Sequence, residues 1–552
     1  MAFGKGRLLW KTIRQRFGPK RPIDAPSGNS REHARYGHER FPGERHNQKT
    51  SLTEFVGTVV DRVLLLVVAI DTTNDETCNI KGKIMNEHVR SPSDLQGLTR
   101  RFAKLAAELR YEDLPAPVQE KAKLIIRDGV GNQIAASAIS EAAIAIIQLV
   151  QEWGGKPEST IVGYGDKVPA PLAALCNGAM GHGVELDDAH GSGLIKAGSV
   201  LIPAAFAAAE ISQAKGDDVV SAVVAGYEIA IRVAKAINPG HRHRGYHTTS
   251  TVSLMGAAVI TARLLGCDEE GIANAIGLAA MQSSGIQSYL DDPCMAKPFG
   301  PGKGAFNGVL AGIMASRGFT GPKKVLESKE GFFNAFTDSV RISDLLDGFG
   351  SKFAIMEVGF KPHAACRYAH GPIDLAQMFH ADGVKQGDIS SITVKMSGLA
   401  IRQASKFPCG SLNAAMGSTQ FGVALALTAG GNGLRDYWDG YSNQAVHDLA
   451  AQVVLEAEPE FGVGGRQAVV TLGLKDGRSL SYRSEEPRGE PANPLSGEEL
   501  ERKFMSTAGL VLDEEAISDI SRRLMSLELE PNAAIIPSLT VARDRKPVLR
   551  AA

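Results

Sequence analysis

A mainly α fold is predicted: a large all-helical domain with a smaller α+β lid domain inserted near its C-terminal end. Three observations predict it. Ala and Gly are abundant while only 6% of residues are aromatic, a composition suited to closely packed helices. From Leu98 onward apolar residues recur at helical spacing. After about residue 352 the pattern turns β-branched and strand-like, then returns to helix beyond residue 488. The implied division is 1–96 as a basic, disordered N-terminal extension, 97–354 and 488–530 as the helical domain, 355–487 as the lid and 531–552 as a loose tail.

Each element has its own signal. "RFAKLAAELRYEDLPAPVQEKAKLIIRDGVGNQIAAS" reads as a helix, a Leu-Pro-Ala-Pro turn and a second helix. Helices are then expected at about 141–153, 170–184, 200–214, 217–237, 250–265 and 269–280, several apolar enough to be buried on most sides. Gly154-Gly155, Lys215-Gly216 and Gly266 supply stops, and Asp217 and Asp268 stand where a carboxylate complements a helix start. A further helix is expected from about Ala305, after a Gly-rich turn. "DISSITVKMSG" is strand-like, and "RQAVVTLGLKDGRSLSYRSEE" places Val470, Leu472 and Leu474 on one face before an Asp476-Gly477 type I′ hairpin turn.

Lys plus Arg (60) nearly balances Asp plus Glu (61) over 552 residues, so no global field points to nucleic acid or a membrane surface. The apolar run Val63 to Ile70 is too short to span a bilayer, which needs about 20 residues. Six cysteines without a CxxC pair fit reduced thiols, and a cytoplasmic location is expected. The alternative is mitochondrial, with the basic stretch before Asp24, where Leu9, Ile13 and Phe17 share helical spacing, acting as a transit peptide.

Four clusters carry chemistry. "HGVELDDAHGSGLIKAG" (182–198) concentrates His182, Glu185, Asp187, Asp188, His190 and Lys196 in an otherwise apolar region. "NPGHRHRGYHTTSTVSLMGAA" puts His247 before hydroxyls that can cap a helix, a place that attracts anions. "DDPCMAKPFGPGKGAFNGVLAG" sets Lys297 beside a proline but lacks the order of a phosphate loop. "GFKPHAACRYAHGPIDLAQ" crowds Lys361, His363, Arg367, Tyr368 and His370 at the inferred domain junction. Partly buried cations need an anionic partner, because an unpaired buried charge is costly. A small di- or tricarboxylate is therefore the expected ligand, in a cleft between domains.

In this order "HGVELDDAH…GSVLIPAA", "GYHTTSTVSLMGAA", "KPFGPGKGAFNGVLAG" and "GFKPHAACRYAHGPID" resemble the MmgE/PrpD family over about residues 97 to 530. The family includes 2-methylcitrate dehydratase, cis-aconitate decarboxylase and iminodisuccinate epimerase. The resemblance implies a homodimer with a helical domain and a lid, working without metal or organic cofactor. It implies His247, Lys297, Glu185 and Lys196 as catalytic residues, and Lys361, His363, Arg367, His370 and Phe421 as substrate contacts. Where the family pattern has Asp, Thr, His and Tyr, this chain has Glu185, Ala189, Lys196 and Phe421. The expected function is a cofactor-independent lyase of the dehydratase type, or a decarboxylase or epimerase, abstracting a proton next to a carboxylate. Two alternatives stay open. One is a metal-dependent hydrolase using His182, Glu185, Asp187 and His190. The other is an inactive carboxylate binder, in line with the replacements at 189, 196 and 421.

Overall fold

The computed structural model describes residues 95–541 apart from 293 and 463. The N-terminal extension, its basic amphipathic segment and the apolar run at 63–70 lie outside the described residues, except for residues 95 and 96.

The helical body runs α1 (Leu98–Glu108), α2 (Ala116–Ile139), α3 (Glu141–Trp153), α4 (Ala170–His182), α5 (Gly198–Ser212), α6 (Gly216–Ile237), α7 (Thr248–Leu264), α8 (Glu269–Ala280) and α9 (Ala296–Ser316). A two-stranded ribbon, β1 (Ser159–Thr160) against β2 (Lys167–Val168), joins α3 to α4. Cap chemistry explains several boundaries. The Ser140 hydroxyl accepts from Ala143 N–H to open α3, and Asp268 accepts from Gly271 N–H at 2.9 Å to open α8.

Helices α4, α5, α7 and α9 form the centre of the body, and α7 is buried along nearly its whole length. Small residues permit this density. A Cβ added at Gly302 would stand 2.6 Å from the Leu175 carbonyl oxygen of α4. Gly302→Ala is therefore expected to cost about 1–3 kcal/mol by pushing α9 off α4. A matched urea titration checks this, and an unchanged midpoint would contradict it. The same packing corrects one expectation. The helix expected from Ala305 begins at Ala296, so the Gly-rich stretch is helix and Lys297 lies in its first turn.

Two further boundaries differ. Gly216 opens α6 instead of closing α5, whose end is taken by Gln213 at φ 56°. Its lack of a side chain admits the Leu527 carbonyl, 1.6 Å from where a Cβ would lie, and its N–H donates to Glu530 O at 2.9 Å. His247, not Thr248–Thr251, holds the N-cap of α7.

The strand-bearing part carries a four-stranded sheet in the order β4-β3-β5-β6, from β3 (Ile389–Met396), β4 (Val453–Ala457), β5 (Ala468–Leu474) and β6 (Ser479–Ser484). β4 pairs parallel to β3, whereas β3–β5 and β5–β6 are antiparallel. Ala468, Val470, Leu472 and Leu474 are buried on one face under α10 (His370–Ala381), and α11 (Thr419–Ala429) packs on α10 and on β4. The hairpin turn is not type I′. Leu474 N–H donates to Arg478 O, only Gly477 has positive φ (89°), and three residues form the loop, since Asp476 does not take the left-handed conformation that type I′ demands.

Helices α12 (Gly497–Ala508) and α13 (Glu514–Met525) return to pack on α2. The tail expected to be loose from 531 is ordered as far as 541. Ala533 N–H donates to Ala214 O, and Ala533, Ile536 and Thr540 are buried, so apolar burial fixes what prolines seemed to free. Residues 542–552 lie outside the described residues. Among the described residues no single helix is long and apolar enough to cross a membrane.

Candidate active site

α4 stops at His182, and the backbone then turns sharply through Glu185, held at φ 54°. This left-handed conformation is strained for glutamate. Three elements fix it. Lys503 of α12 donates to Leu186 O at 2.8 Å, Ala189 and Gly359 exchange backbone hydrogen bonds of 3.0 and 2.8 Å, and Lys361 donates to Glu185 O at 2.9 Å. The turn thus presents a carboxylate to a cavity of about 1140 Å³, whose wall also carries Lys196, His247, Lys297 and Arg367.

Glu185 joins two lysines. Lys297 Nζ forms a close ion pair with its Oε1, and Lys361 Nζ lies 3.3 Å from its Oε2 and 3.5 Å from Asp187 Oδ1. Burial pushes the Glu185 carboxyl up, but Lys297 and then Lys361 outweigh it and hold it well below the usual range. In turn Glu185 overcomes the burial of Lys297 and raises the Lys297 pKa. Lys297 therefore stays charged. Lys361 is fully buried behind this pair and does not reach the cavity.

Lys196 differs. Its ammonium has no carboxylate within ion-pair distance among the described residues, and burial together with nearby Lys361 brings its pKa down to about 8. It sits where the backbone N–H of Lys196 donates to Thr249 Oγ1 at 3.1 Å, against the first turn of α7. At that helix start His247 places Nδ1 2.8 Å from Ser250 Oγ, which leaves Nε2 for a ligand. Burial, reinforced by His182 and Lys196, holds His247 far below its ordinary pKa, so it is neutral near pH 7.

The two aspartates stand behind the wall. Asp187 Oδ2 lies 2.6 Å from His182 Nδ1, and His182 is buried with Nε2 unpartnered. Asp188 accepts from Tyr227 OH at 2.7 Å and Gly198 N–H at 2.9 Å, and burial lifts its pKa to about 7. The four residues of the metal-site alternative therefore turn to separate partners: His182 to Asp187, Glu185 to lysines, and His190 to Glu357 at 3.1 Å. Among the described residues no three His, Cys, Asp or Glu side chains are arranged to hold a metal ion.

The other expected substrate contacts divide. Arg367 reaches the cavity but is bound to Glu490 at 2.8 Å. His363 pairs with Asp374 at 2.7 Å, His370 is locked between Arg367 and Ala365 O, and Phe421 packs on Tyr437 and His447. These last three stand behind the wall instead of on it. Sequence reasoning missed Arg242, Tyr289, Lys406 and Arg466, all on the cavity wall. Only the "HRHR" run signalled Arg242; Tyr289 comes from a single helical turn and Lys406 and Arg466 from loops, none with a local pattern.

His247→Ala is expected to lower turnover at least about 10²-fold, and because the imidazole is buried against His182 and Tyr289, melting curves recorded beside the assay separate loss of chemistry from loss of fold. Unchanged turnover would remove it from the reaction.

The chain is 26% identical over 462 residues to a cis-aconitate decarboxylase of Aspergillus terreus, covering 78% of this chain and 93% of that protein. It is 25% identical over 464 residues to the human cis-aconitate decarboxylase, covering 81% and 95%. A cis-aconitate decarboxylase-like protein of Aspergillus oryzae is 25% identical over 472 residues, covering 80% and 97%. The MmgE/PrpD N-terminal domain matches residues 100–344, the helices around Glu185, Lys196, His247 and Lys297, and the C-terminal domain matches 363–526, the sheet and returning helices. With both halves of the cavity thus accounted for, the chain belongs to the MmgE/PrpD family.

Proposed function

We propose that this chain is a carboxy-lyase acting on a small unsaturated tricarboxylate of the cis-aconitate kind. The observation that carries the reading is Lys196: a cavity-wall ammonium without a carboxylate partner among the described residues, with a pKa of about 8, beside a neutral histidine. The names of the three relatives support the substrate class.

The reaction follows from that placement. Lys297 and Lys196 hold substrate carboxylates, and a ligand carboxylate competes with Glu185 for Lys297. The bond from the departing carboxylate to its methylene carbon breaks, and its electron pair shifts through the adjacent double bond. It arrives at the carbon next to another carboxylate, which takes a proton from the Lys196 ammonium. Carbon dioxide and an unsaturated dicarboxylate leave, and solvent returns the proton to Lys196. Charge builds at an enolate-like oxygen in the transition state, where fixed cations stabilise it more than in the ground state. His247 donates a hydrogen bond through Nε2 to the same carbon's carboxylate, its Nδ1 being held by Ser250 Oγ.

Dehydration of a hydroxy-tricarboxylate draws on the same groups with Lys196 as base, and one experiment separates the two. Purified protein is followed by proton NMR in heavy water with cis-aconitate, and separately with 2-methylcitrate. The expected result is loss of cis-aconitate, two new vinylic signals and one deuterium in the product methylene. Consumption of 2-methylcitrate alone would replace decarboxylation by dehydration, deuterium uptake without carbon dioxide release would indicate an isomerase, and silence with both acids would refute the proposal.

A further inference from the structure

The cavity holds more positive charge than the inner cluster uses, and the surplus is localised. Around Glu185 the lysines are largely neutralised, Lys297 by Glu185 and Lys361 by Glu185 and Asp187 together. Arg367 and Arg466 share Glu490. Two further wall cations, Arg242 and Lys406, have no carboxylate partner among the described residues. Arg242 donates through Nη2 to the neutral amide Oε1 of Gln403 at 2.7 Å, and Lys406 donates to the Tyr289 carbonyl at 3.2 Å. Both are partly buried. Both bonds also cross the seam between the region matching the N-terminal domain, which bears Arg242 and Tyr289, and the region matching the C-terminal domain, which bears Gln403 and Lys406. Tyr289 links the two clusters, since its ring packs edge-on at 5.9 Å from His247.

A guanidinium aimed by the neutral side chain of Gln403, and an ammonium on a neutral carbonyl three residues further along the same segment, leave both positive charges without a carboxylate and open to an incoming anion. Among the described residues the only carboxylates on the cavity wall are Glu185, already paired, and Glu141. We propose that Arg242 and Lys406 form a second anion subsite that holds the substrate carboxylate farthest from Lys196 and makes the site selective for tricarboxylates over dicarboxylates. The inference rests on the polycarboxylate reading above and adds to it the residues that count the carboxylates. Because each cation is borne by a different part of the seam, the bound carboxylate also joins the two regions.

The test uses two saturated acids that cannot react: propane-1,2,3-tricarboxylate, and methylsuccinate, which has a methyl group in place of one carboxymethyl arm. Affinities are measured by titration calorimetry on the full chain, for the unmodified protein and for Arg242→Gln and Lys406→Met. The unmodified protein is expected to favour the tricarboxylate by at least about tenfold. Each variant is expected to lose about 10- to 100-fold in tricarboxylate affinity, the range for a hydrogen bond to a charged group, while methylsuccinate affinity changes less than about twofold. Equal losses for both acids would reduce the pair to a general field effect, and unchanged preference in both variants would overturn the subsite. If the unmodified protein binds neither acid, the polycarboxylate reading fails first. Melting curves of the variants show that the fold is retained, and Arg242→Lys, which keeps charge without the fork, is expected to recover part of the preference.

Discussion

Lys196→Met lowers turnover by about 10²- to 10⁴-fold, the usual contribution of one positioned acid or base, with the fold intact. Methionine keeps the length and apolar stem while removing the ammonium. Because Lys196 has no carboxylate partner among the described residues, its loss strands no buried anion and the melting temperature holds or rises. The pH profile identifies the role. An acid must carry its proton, so kcat/KM, which reports the free enzyme, falls as pH rises through about 8, the value to which burial and Lys361 bring this lysine. Lys196→His restores the residue that the family pattern has at this position. Imidazole titrates near 6.5 in the absence of perturbation, so the same fall moves to lower pH. A methionine variant with retained turnover would remove Lys196 from the chemistry. A rise in kcat/KM across pH 8 would make it a base and favour dehydration.

How far the sequence reached depended on the range of the information. Helices α3, α4, α6 and α8 were legible because period, caps and stops all act within a few residues. α9 was misjudged because its glycines answer to α4, more than 100 residues away, which no local rule contains. β4 is short and mostly exposed, so it carries no alternating signal. Glu185, Lys196, His247 and Lys297 could be singled out because each sits in a dense polar cluster and the order of clusters resembles one family. Arg242 and Lys406 gain their meaning only from what they lack among the described residues, a carboxylate partner, and that is a property of the folded surroundings. The converse explains His363 and His370. Their spacing suggested a ligand, yet Asp374 and Arg367 already satisfy them.

Lys361→Met is expected to cost about 3–5 kcal/mol at pH 7, the range for breaking a buried pair by removing one partner. The fully buried ammonium serves Glu185 Oε2, Glu185 O and Asp187 Oδ1 at once, and methionine leaves all three to a smaller supply of positive charge. The sign of the pH dependence follows from the two carboxyls. Each is held below its ordinary value of 4.5 or 3.8, against burial, by Lys297 and Lys361 for Glu185 and by His182 and Lys361 for Asp187. Their contribution is therefore present above those ordinary values and is lost as pH falls through the lower folded ones. The gap between the unmodified protein and the variant should accordingly be widest near neutrality and close below pH 4, as protonated carboxyls no longer need the ammonium. Urea titrations at several pH values measure it. Asp187→Asn in the variant background should return part of the loss, because the amide oxygen can still accept from His182 Nδ1 without a buried charge to compensate. The coupling between the two changes is expected at about 0.5–3 kcal/mol. A loss below about 1 kcal/mol at pH 7, or one that does not shrink in acid, would mean that Lys297 alone compensates this turn. The strain stored at Glu185 would then have to be held by the backbone bonds of Leu186 and Ala189 instead of by Lys361.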